Sequence, residues 1–369
     1  MGEKKEQRSR NSSKDLEINT LLKAMIQYGA SDLHLSSGSP PQLRVDGRLR
    51  QLRADILRPA DTKRLCLSIL SERQRETFSE RNDFDVSFGV EKLARFRANI
   101  FRQRGAVAGS FRKIPYEVPK LNTLGVPEDF IRMVSRPNGL VLVTGPTGAG
   151  KSTTLAAVID KINSDRHCHI VTIEDPIEYL HSHKKSLVNQ REVGADTDSF
   201  RDALKYVLRQ DPDVILIGEM RDIDTVEAAL ALSETGHLVL GTLHTNSAVQ
   251  TISRIVNMFP SDHRSHIRNQ LGFVLQAVLS QQLVPKIGGG MTLATELMVC
   301  NLAIKNLIRE DKLHQMSSQI QMGKSSHAMH TMNSSLLRLY RENKITLDDA
   351  RSRTSELDDF DRALQNLAK

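Results

Sequence analysis

The chain has 369 residues, a formal net charge of +7, and apolar side chains at 39% of its positions. This length predicts about two or three domains with a buried core. The three cysteines are widely spaced, form no CxxC pair and exclude a disulfide framework. Because no apolar run approaches the roughly 18 residues of a membrane span and no signal-peptide pattern opens the chain, we expect a cytoplasmic protein with no direct membrane span.

The first third of the chain predicts a tail followed by a small α+β domain. Residues 1–15 are basic and poor in apolar side chains, which predicts a disordered tail, with a nucleic-acid or membrane-surface contact as the alternative. Helical spacing of apolar residues follows at 16–28 and 61–80. Strand patterns occur at 31–35, 42–52, 83–88, 95–101 and 107–114. The pair Asp46-Gly47 is typical of a hairpin turn, and the predicted domain spans 16–114.

The pattern changes after a segment that is rich in proline. Three prolines and a glycine over 115–127 predict a linker. Apolar strands alternate with helices over 128–300, as in a parallel α/β sheet. Its expected strands are 140–144, 170–173, 214–217 and 238–242. Pro285 and the glycines at 288–290 predict a turn near the end of that sheet, and residues 301–369 show helical patterns that predict a C-terminal appendage.

A phosphate-binding loop follows the first of these strands. Residues 145–152 read GPTGAGKS and match GxxxxGK[ST] in full, with an apolar strand before them and a helix after them. In such a loop the backbone N–H groups surround phosphate, Lys151 reaches the β and γ oxygens, and the Ser152 hydroxyl binds Mg²⁺. This context favours an ATP and Mg²⁺ site over a chance glycine turn. The predicted nucleotide-binding residues are Gly145, Pro146, Thr147, Gly148, Ala149, Gly150, Lys151, Ser152 and Thr153.

Two acidic side chains stand at the ends of later strands. Glu219 follows 214–217, where phosphate-loop enzymes carry an acid that holds Mg²⁺ or orients the attacking water. Glu174 ends the 170–173 strand, at the sheet edge where α/β proteins bind ligands. The alternatives are an ordinary strand-end carboxylate at 219 and solvated acids in a turn before Pro176.

Histidines and arginines offer further candidates. His237 and His244 flank the 238–242 strand, where a histidine could contact a γ-phosphate. Their spacing does not suit a metal site, and a hydrogen-bonded core histidine is the alternative. Five arginines lie between 95 and 112, which indicates either a solvated basic face or arginine fingers that act on ATP.

These motifs, in this order, resemble the secretion ATPase superfamily and, within it, the PilT type of retraction ATPase from type IV pilus machines. The resemblance runs from about residue 16 to about residue 365. It includes an Asp box at 172–179, a Walker B strand at 211–222 and a His box at 234–245. Residues 303–310, AIKNLIRE, resemble the retraction motif AIRNLIRE.

The resemblance implies a PAS-like N-terminal domain and a RecA-like ATPase domain, assembled as a homohexamer. It implies a motor that hydrolyses ATP with Mg²⁺, powers pilus retraction and twitching motility, and lies at the inner membrane through the pilus machine. The implied partners are a membrane platform protein and other pilus motor ATPases. The implied catalytic residues are Glu219, its partner Glu174, the arginine fingers Arg97 and Arg112, and the His-box residues His237 and His244.

The chain departs from the family motifs at two positions, and other functions are possible alternatives. Lys305 stands where the retraction motif has arginine, and Ala328 begins a variant of the motif GMxTM, so a diverged paralogue of the retraction motor stays open. A pilus extension or type II secretion assembly ATPase generally carries a tetracysteine zinc site, which this chain lacks. A nucleic-acid translocase is disfavoured because the chain has no tryptophan and no interleaved aromatic and basic surface, so we expect no nucleic-acid partner.

Overall fold

The structure is a computed structural model that describes residues 16–45, 47–91, 93–114, 117–323 and 329–367. The predicted tail at 1–15, Asp46 of the predicted hairpin turn, and Ala328 of the C-terminal motif lie outside the described residues. The chain divides near residue 116 into two compact units.

The first unit contains a six-stranded antiparallel sheet in the order β3-β2-β1-β6-β5-β4. Its strands are β1 Asp32–Leu35, β2 Gln42–Val45, β3 Arg48–Gln51, β4 Asp83–Val90, β5 Ala94–Gln103 and β6 Ala106–Ile114. Its helices are α1 Ile18–Gln27, α2 Pro59–Leu67 and α3 Glu72–Arg81. Strand β5 shows why the sheet has a buried face, because alternate residues such as Phe96, Ala98 and Ile100 enter the core of this unit.

The segment predicted to be helical at 61–80 forms two helices, α2 and α3. Helix α2 ends at Leu67, and Ser71 starts α3 by accepting a hydrogen bond from the backbone N–H of Gln74. The Gln74 side chain in turn accepts from the backbone N–H of Ser71, at 2.9 Å. This reciprocal cap satisfies N–H groups that a helix start leaves without partners.

The second unit contains a seven-stranded sheet in the order β13-β12-β7-β11-β10-β8-β9. Its strands are β7 Gly139–Thr144, β8 His169–Glu174, β9 Leu187–Glu192, β10 Val214–Ile217, β11 Leu238–Leu243, β12 Leu275–Pro285 and β13 Met291–Val299. Every pairing is parallel except that of β12 with β13. The sequence did not predict β9, β12 or β13 as strands, although the turn expected near 285–290 does join β12 to β13.

Helices cover both faces of this sheet. They are α4 Glu128–Val134, α5 Lys151–Asp165, α6 Phe200–Val207, α7 Ile223–Glu234, α8 Ala248–Met258, α9 Arg264–Val274, α10 Leu302–Arg309, α11 Met316–Met322, α12 Met332–Arg341, α13 Leu347–Arg353 and α14 Leu357–Leu367. In β7, Leu140 and Leu142 join one apolar cluster while Val141 and Val143 join another. This alternation buries both faces and confirms the mixed α/β fold with two sheets.

The C-terminal helices pack into the second unit. Ile304 and Ile308 of α10 lie in the same apolar cluster as the central strands. Helices α12–α14 form another cluster around Phe360, which includes Val284 of β12 and Ala294 of β13. A boundary at residue 300 therefore stays a prediction. Within the described ranges, no helix has both the length and the apolarity needed to cross a membrane.

Candidate functional site

Four neighbouring strands bring the predicted motifs to one edge of the second sheet. The strands β7, β11, β10 and β8 are adjacent and parallel, in that order. The phosphate-binding loop follows β7, His244 follows β11, Glu219 is the second residue after β10, and Glu174 ends β8. Because the carboxyl ends of parallel strands lie at the same edge, segments that are far apart in sequence meet there.

A cavity of about 560 Å³ opens at this edge. Its walls include the loop residues from Thr147 to Thr153, both acids Glu174 and Glu219, and His244. Ligand cavities commonly have volumes of about 300–1,000 Å³, so a nucleotide suits this one. The structure thus places most of the predicted site residues around a single cavity.

The loop has the backbone that its glycines predict. Gly145, Gly148 and Gly150 have φ values of 142°, 79° and 85°. At Gly145 a Cβ atom would lie only 2.4 Å from the carbonyl oxygen of Gln281 in β12, so a side chain there would clash with the neighbouring strand. Helix α5 begins at Lys151 and directs its positive N-terminal end at the loop.

Lys151 is buried within this loop. Its Nζ atom donates hydrogen bonds to the carbonyl oxygens of Gly145, at 2.8 Å, and of Pro146, at 3.0 Å. Burial lowers the pKa of Lys151, while the nearby carboxylates Glu219 and Glu178 oppose that shift. The ammonium group is therefore held at the loop, where it can interact with phosphate oxygens.

The two predicted acids lie in opposite electrostatic environments. Glu174 is partly buried, and burial raises its pKa although Thr172 and Gln190 donate hydrogen bonds to it. Partial burial also acts to raise the pKa of Glu219, but a hydrogen bond from Arg221 and the neighbouring His244 outweigh it and lower that pKa. Two carboxyl groups whose environments separate their pKa values are typical of a division of catalytic roles.

The two predicted histidines lie at opposite ends of β11. His244 Nε2 lies 3.2 Å from Glu219 Oε1, at the cavity. His237 precedes the strand, and its Nδ1 atom lies 3.0 Å from both the Leu232 carbonyl oxygen and the Thr235 hydroxyl. The described residues that line the cavity include His244 but not His237. The sequence grouped the two because both flank one strand, and the length of that strand separates them.

The two predicted arginine fingers belong to the first unit. Arg112 on β6 donates from Nε to Asp32 Oδ1 at 2.7 Å, and Asp32 is buried. Arg97 on β5 lies 3.7 Å from Asp85 of β4, with both side chains largely exposed. Because an exposed ion pair contributes little to stability, the pair with Asp85 holds the Arg97 side chain only weakly. A role for either arginine in catalysis stays a prediction.

Sequence reasoning missed Arg221 and Tyr179, which line this cavity, and Gln190, which contacts Glu174. Arg221 donates from Nη2 to Glu219 Oε2 at 2.7 Å, and its place two residues after the acid is the signal that could have identified it. Tyr179 and Thr153, whose hydroxyl oxygens lie 3.1 Å apart, join the Asp-box segment to the loop helix. Gln190 lies on β9, whose polar sequence concealed the strand.

The site offers oxygen atoms for a divalent cation but no preformed metal cage. Among the described residues, no three His, Cys, Asp or Glu side chains gather so that they could hold a metal ion. Mg²⁺ is usually bound by one or two protein oxygens together with substrate phosphates and water. The Ser152 hydroxyl and the Glu219 carboxylate, which both line the cavity, fit that donor set.

Comparison with known proteins gives consistent matches over almost the whole chain. The family model "Type II/IV secretion system protein" matches residues 7–362. The chain is 48% identical to the "Type IV pilus retractation ATPase PilT" of Pseudomonas aeruginosa, over 94% of this chain and 100% of that protein. It is 45% identical to the "Twitching motility protein" of Neisseria gonorrhoeae, over 85% of this chain and 84% of that protein.

A solved structure agrees with these matches. The crystal structure of the pilus retraction motor PilT with bound ADP superposes with a TM-score of 0.89 at 51% identity. The superposition covers 94% of this chain and all of that chain. The two chains therefore share their fold over almost their whole length.

Proposed function

This chain belongs to the type II/IV secretion system protein family and is an ATPase. From that premise we propose that it is the hexameric motor of type IV pilus retraction. The observation that carries the proposal is the meeting of Lys151, Glu219 and Glu174 at one cavity, in a chain similar over its length to a retraction motor. Lys151 binds the β- and γ-phosphates, and the two carboxylates act on the attacking water.

The two acids take different parts in this reaction. Glu219 stays ionised because Arg221 and His244 favour its carboxylate, so it suits the polarisation of water or the binding of a cation. Glu174, whose pKa burial raises above its ordinary value, suits proton transfer with the attacking water. His244 contacts Glu219 and lies at the cavity, where it can respond to the γ-phosphate.

Mg²⁺ accompanies ATP in this proposal. Ser152 and Glu219 would hold it, and when bound it neutralises charge that develops on the transferred phosphoryl group. The loop N–H groups and Lys151 then bind phosphate. Thr153 follows in the same segment, and its hydroxyl lies near that of Tyr179.

Membership of the family supports a proposal for the assembly. We place the chain in a homohexamer at the cytoplasmic side of the inner membrane, in contact with the membrane platform protein of the pilus machine and with other pilus motor ATPases. Arg97 and Arg112 of the first unit serve as fingers toward ATP, within a subunit or between subunits. An ATPase ring of this kind needs such cations because phosphoryl transfer spreads negative charge over the γ-phosphate oxygens.

Replacing Arg97 or Arg112 with alanine should lower kcat by about 10-fold or more while the affinity for nucleotide changes little, because a finger acts mainly in the transition state. Steady-state ATPase assays and binding of a fluorescent ADP analogue measure the two quantities. Arg48→Ala, which removes an exposed arginine from β3, is the matched control. If kcat is unchanged in both variants, the arginines form a solvated basic face.

Deletion of the gene tests the function directly. Cells that lack the retraction motor should carry excess pili that do not retract, whereas cells that lack an extension ATPase should carry none. Electron microscopy and imaging of labelled pili distinguish these results. Absence of pili would replace retraction with assembly as the function of this chain.

The same deletion strain tests the motif at 303–310. Ile304 and Ile308 anchor α10 in the core, while Lys305 donates from Nζ to the carbonyl oxygen of Phe273 in α9, at 3.3 Å. A Cβ atom on Gly272 would lie 2.9 Å from Cγ of Arg309, so the two helices pack closely there. Both cations can therefore transmit movement between α9 and α10.

Replacing Lys305 and Arg309 together with alanine should leave a folded protein with ATPase activity that fails to restore retraction. The control is Arg338→Ala with Arg341→Ala, which removes the same charge from α12 and should restore retraction. Full retraction by the first double variant would reject the coupling role. Loss of folding would instead assign the segment a structural role.

A further inference from the structure

Gln190 occupies a central position in the hydrogen bonding behind the cavity. It lies on β9 opposite Thr172 of β8, in the parallel register that joins these strands. Its Nε2 atom donates to Glu174 Oε1 at 3.1 Å and to the carbonyl oxygen of Tyr179 at 2.9 Å. Its Oε1 atom accepts from the backbone N–H of His181 at 2.8 Å. Both the donor and the acceptor end of the carboxamide are thus engaged.

The contact with Glu174 determines how that carboxylate is oriented. Glu174 Oε1 also accepts from the Thr172 hydroxyl at 2.7 Å, so two donors on two strands hold the same oxygen. The carboxyl group is partly buried and lines the cavity. A buried charge in a site of low dielectric depends on such donors, because water cannot replace them.

The other two contacts hold the wall of the cavity. Tyr179 and His181 line it, and Gln190 joins the backbone of both to β9. The Tyr179 hydroxyl lies 3.1 Å from the Thr153 hydroxyl on the loop helix α5. One side chain therefore links Glu174, the wall at 179–181 and, through Tyr179, the helix that begins at the phosphate loop.

We propose that Gln190 is a positioning residue for ATP hydrolysis, which fixes the Glu174 carboxylate and the wall at 179–181 relative to the phosphate loop. The inference rests on the proposed function, in which Glu174 acts on the attacking water. Gln190 acts through Glu174, so its loss should reduce turnover rather than nucleotide binding.

Two nearly isosteric replacements separate the contacts of Gln190. Gln190→Met removes all three hydrogen bonds, whereas Gln190→Glu keeps an acceptor for the His181 N–H and, as a carboxylate, has no donor for Glu174 or Tyr179. Each should lower kcat by about 10-fold or more, with KM for ATP changed less than about threefold, as for groups that orient an active-site side chain. Wild-type kcat in Gln190→Glu would overturn the proposal, because the donor to Glu174 would then be dispensable.

Asn189→Leu is the matched control on the same strand. The Asn189 amide lies 2.9 Å from His169 Nε2, at an exposed position outside the cavity lining. This variant should hydrolyse ATP at the wild-type rate. Thermal unfolding of all variants measures stability, and if Gln190→Met does not fold, Gln190→Glu decides the result.

A double-mutant cycle with Glu174→Gln tests whether Gln190 acts through the acid. Under single-turnover conditions, Gln190→Met should cost little further rate in the Glu174→Gln background. An equal loss of rate in both backgrounds would overturn the proposal, since a general structural role would act independently of Glu174.

The outcomes also separate the inference from the proposed function. If the wild-type protein does not hydrolyse ATP, or if Glu174→Gln keeps wild-type turnover, the assigned role of the site fails. If the wild type hydrolyses ATP, Glu174→Gln is impaired and Gln190→Met is normal, only the role of Gln190 fails.

Discussion

Lys151→Ala should lower kcat for ATP hydrolysis by at least about 10²–10³-fold, the range for loss of one preorganised group that stabilises transition-state charge. The ammonium group is buried at the loop, 2.8 Å from the Gly145 carbonyl oxygen, and alanine leaves no cation in its place. Release of phosphate from ATP by the purified protein measures the effect.

The matched control for this variant is Lys161→Ala. Lys161 lies on the same helix α5, is ion-paired to Asp165 at 2.7 Å near the surface, and carries the same charge. The control should keep wild-type turnover, since exposed ion pairs contribute little. Near wild-type hydrolysis by Lys151→Ala would contradict the assignment of the phosphate loop and, with it, the ATPase site.

Glu219→Gln should lower kcat by about 10²–10⁴-fold, the range for loss of general acid–base catalysis, while nucleotide still binds. The amide keeps the shape of the side chain but removes its negative charge. It also cannot accept hydrogen bonds at both ends, so either Arg221 or His244 would face an NH₂ group. Turnover assays together with binding of a fluorescent ATP analogue separate the two effects.

Glu227→Gln is the control for the loss of a negative charge. Glu227 is exposed on α7, the helix that follows Glu219 in the chain. We expect it to behave as the wild type does. Persistent turnover in Glu219→Gln would assign the essential carboxylate to Glu174, which lies at the same cavity and whose pKa burial raises.

Local sequence was sufficient for the parts of the site that lie within one continuous segment. The loop at 145–152 depends on glycines with left-handed backbone angles and on a lysine at the start of a helix, and both are visible as residue types at fixed spacing. The ends of β8 and β10 were visible for a similar reason, since short apolar runs stop at an acid. Glu174 and Glu219 were predicted as site residues from their positions at those strand ends.

Strands with polar residues were not visible in the same way. β12 contains Ser280 and Gln281, which are fully buried although both are polar. The Ser280 hydroxyl lies 2.9 Å from the Thr144 hydroxyl, and the Gln281 amide nitrogen donates to Thr154, so these two groups have hydrogen-bond partners inside the core. A periodicity of apolar residues cannot reveal such a strand, because its partners come from distant parts of the chain.

The sequence by itself determined the α/β class, the phosphate loop and the acids at two strand ends, because each depends on residues close together along the chain, and the order of the motifs indicated the family. The tertiary structure alone decided which of these residues meet. The parallel order β7, β11, β10, β8 brings His244 to Glu219 and leaves His237 at the other end of its strand. Folding also gives Glu174 and Glu219 pKa shifts of opposite sign, since burial raises the first, whereas Arg221 and His244, the latter from a distant strand, lower the second.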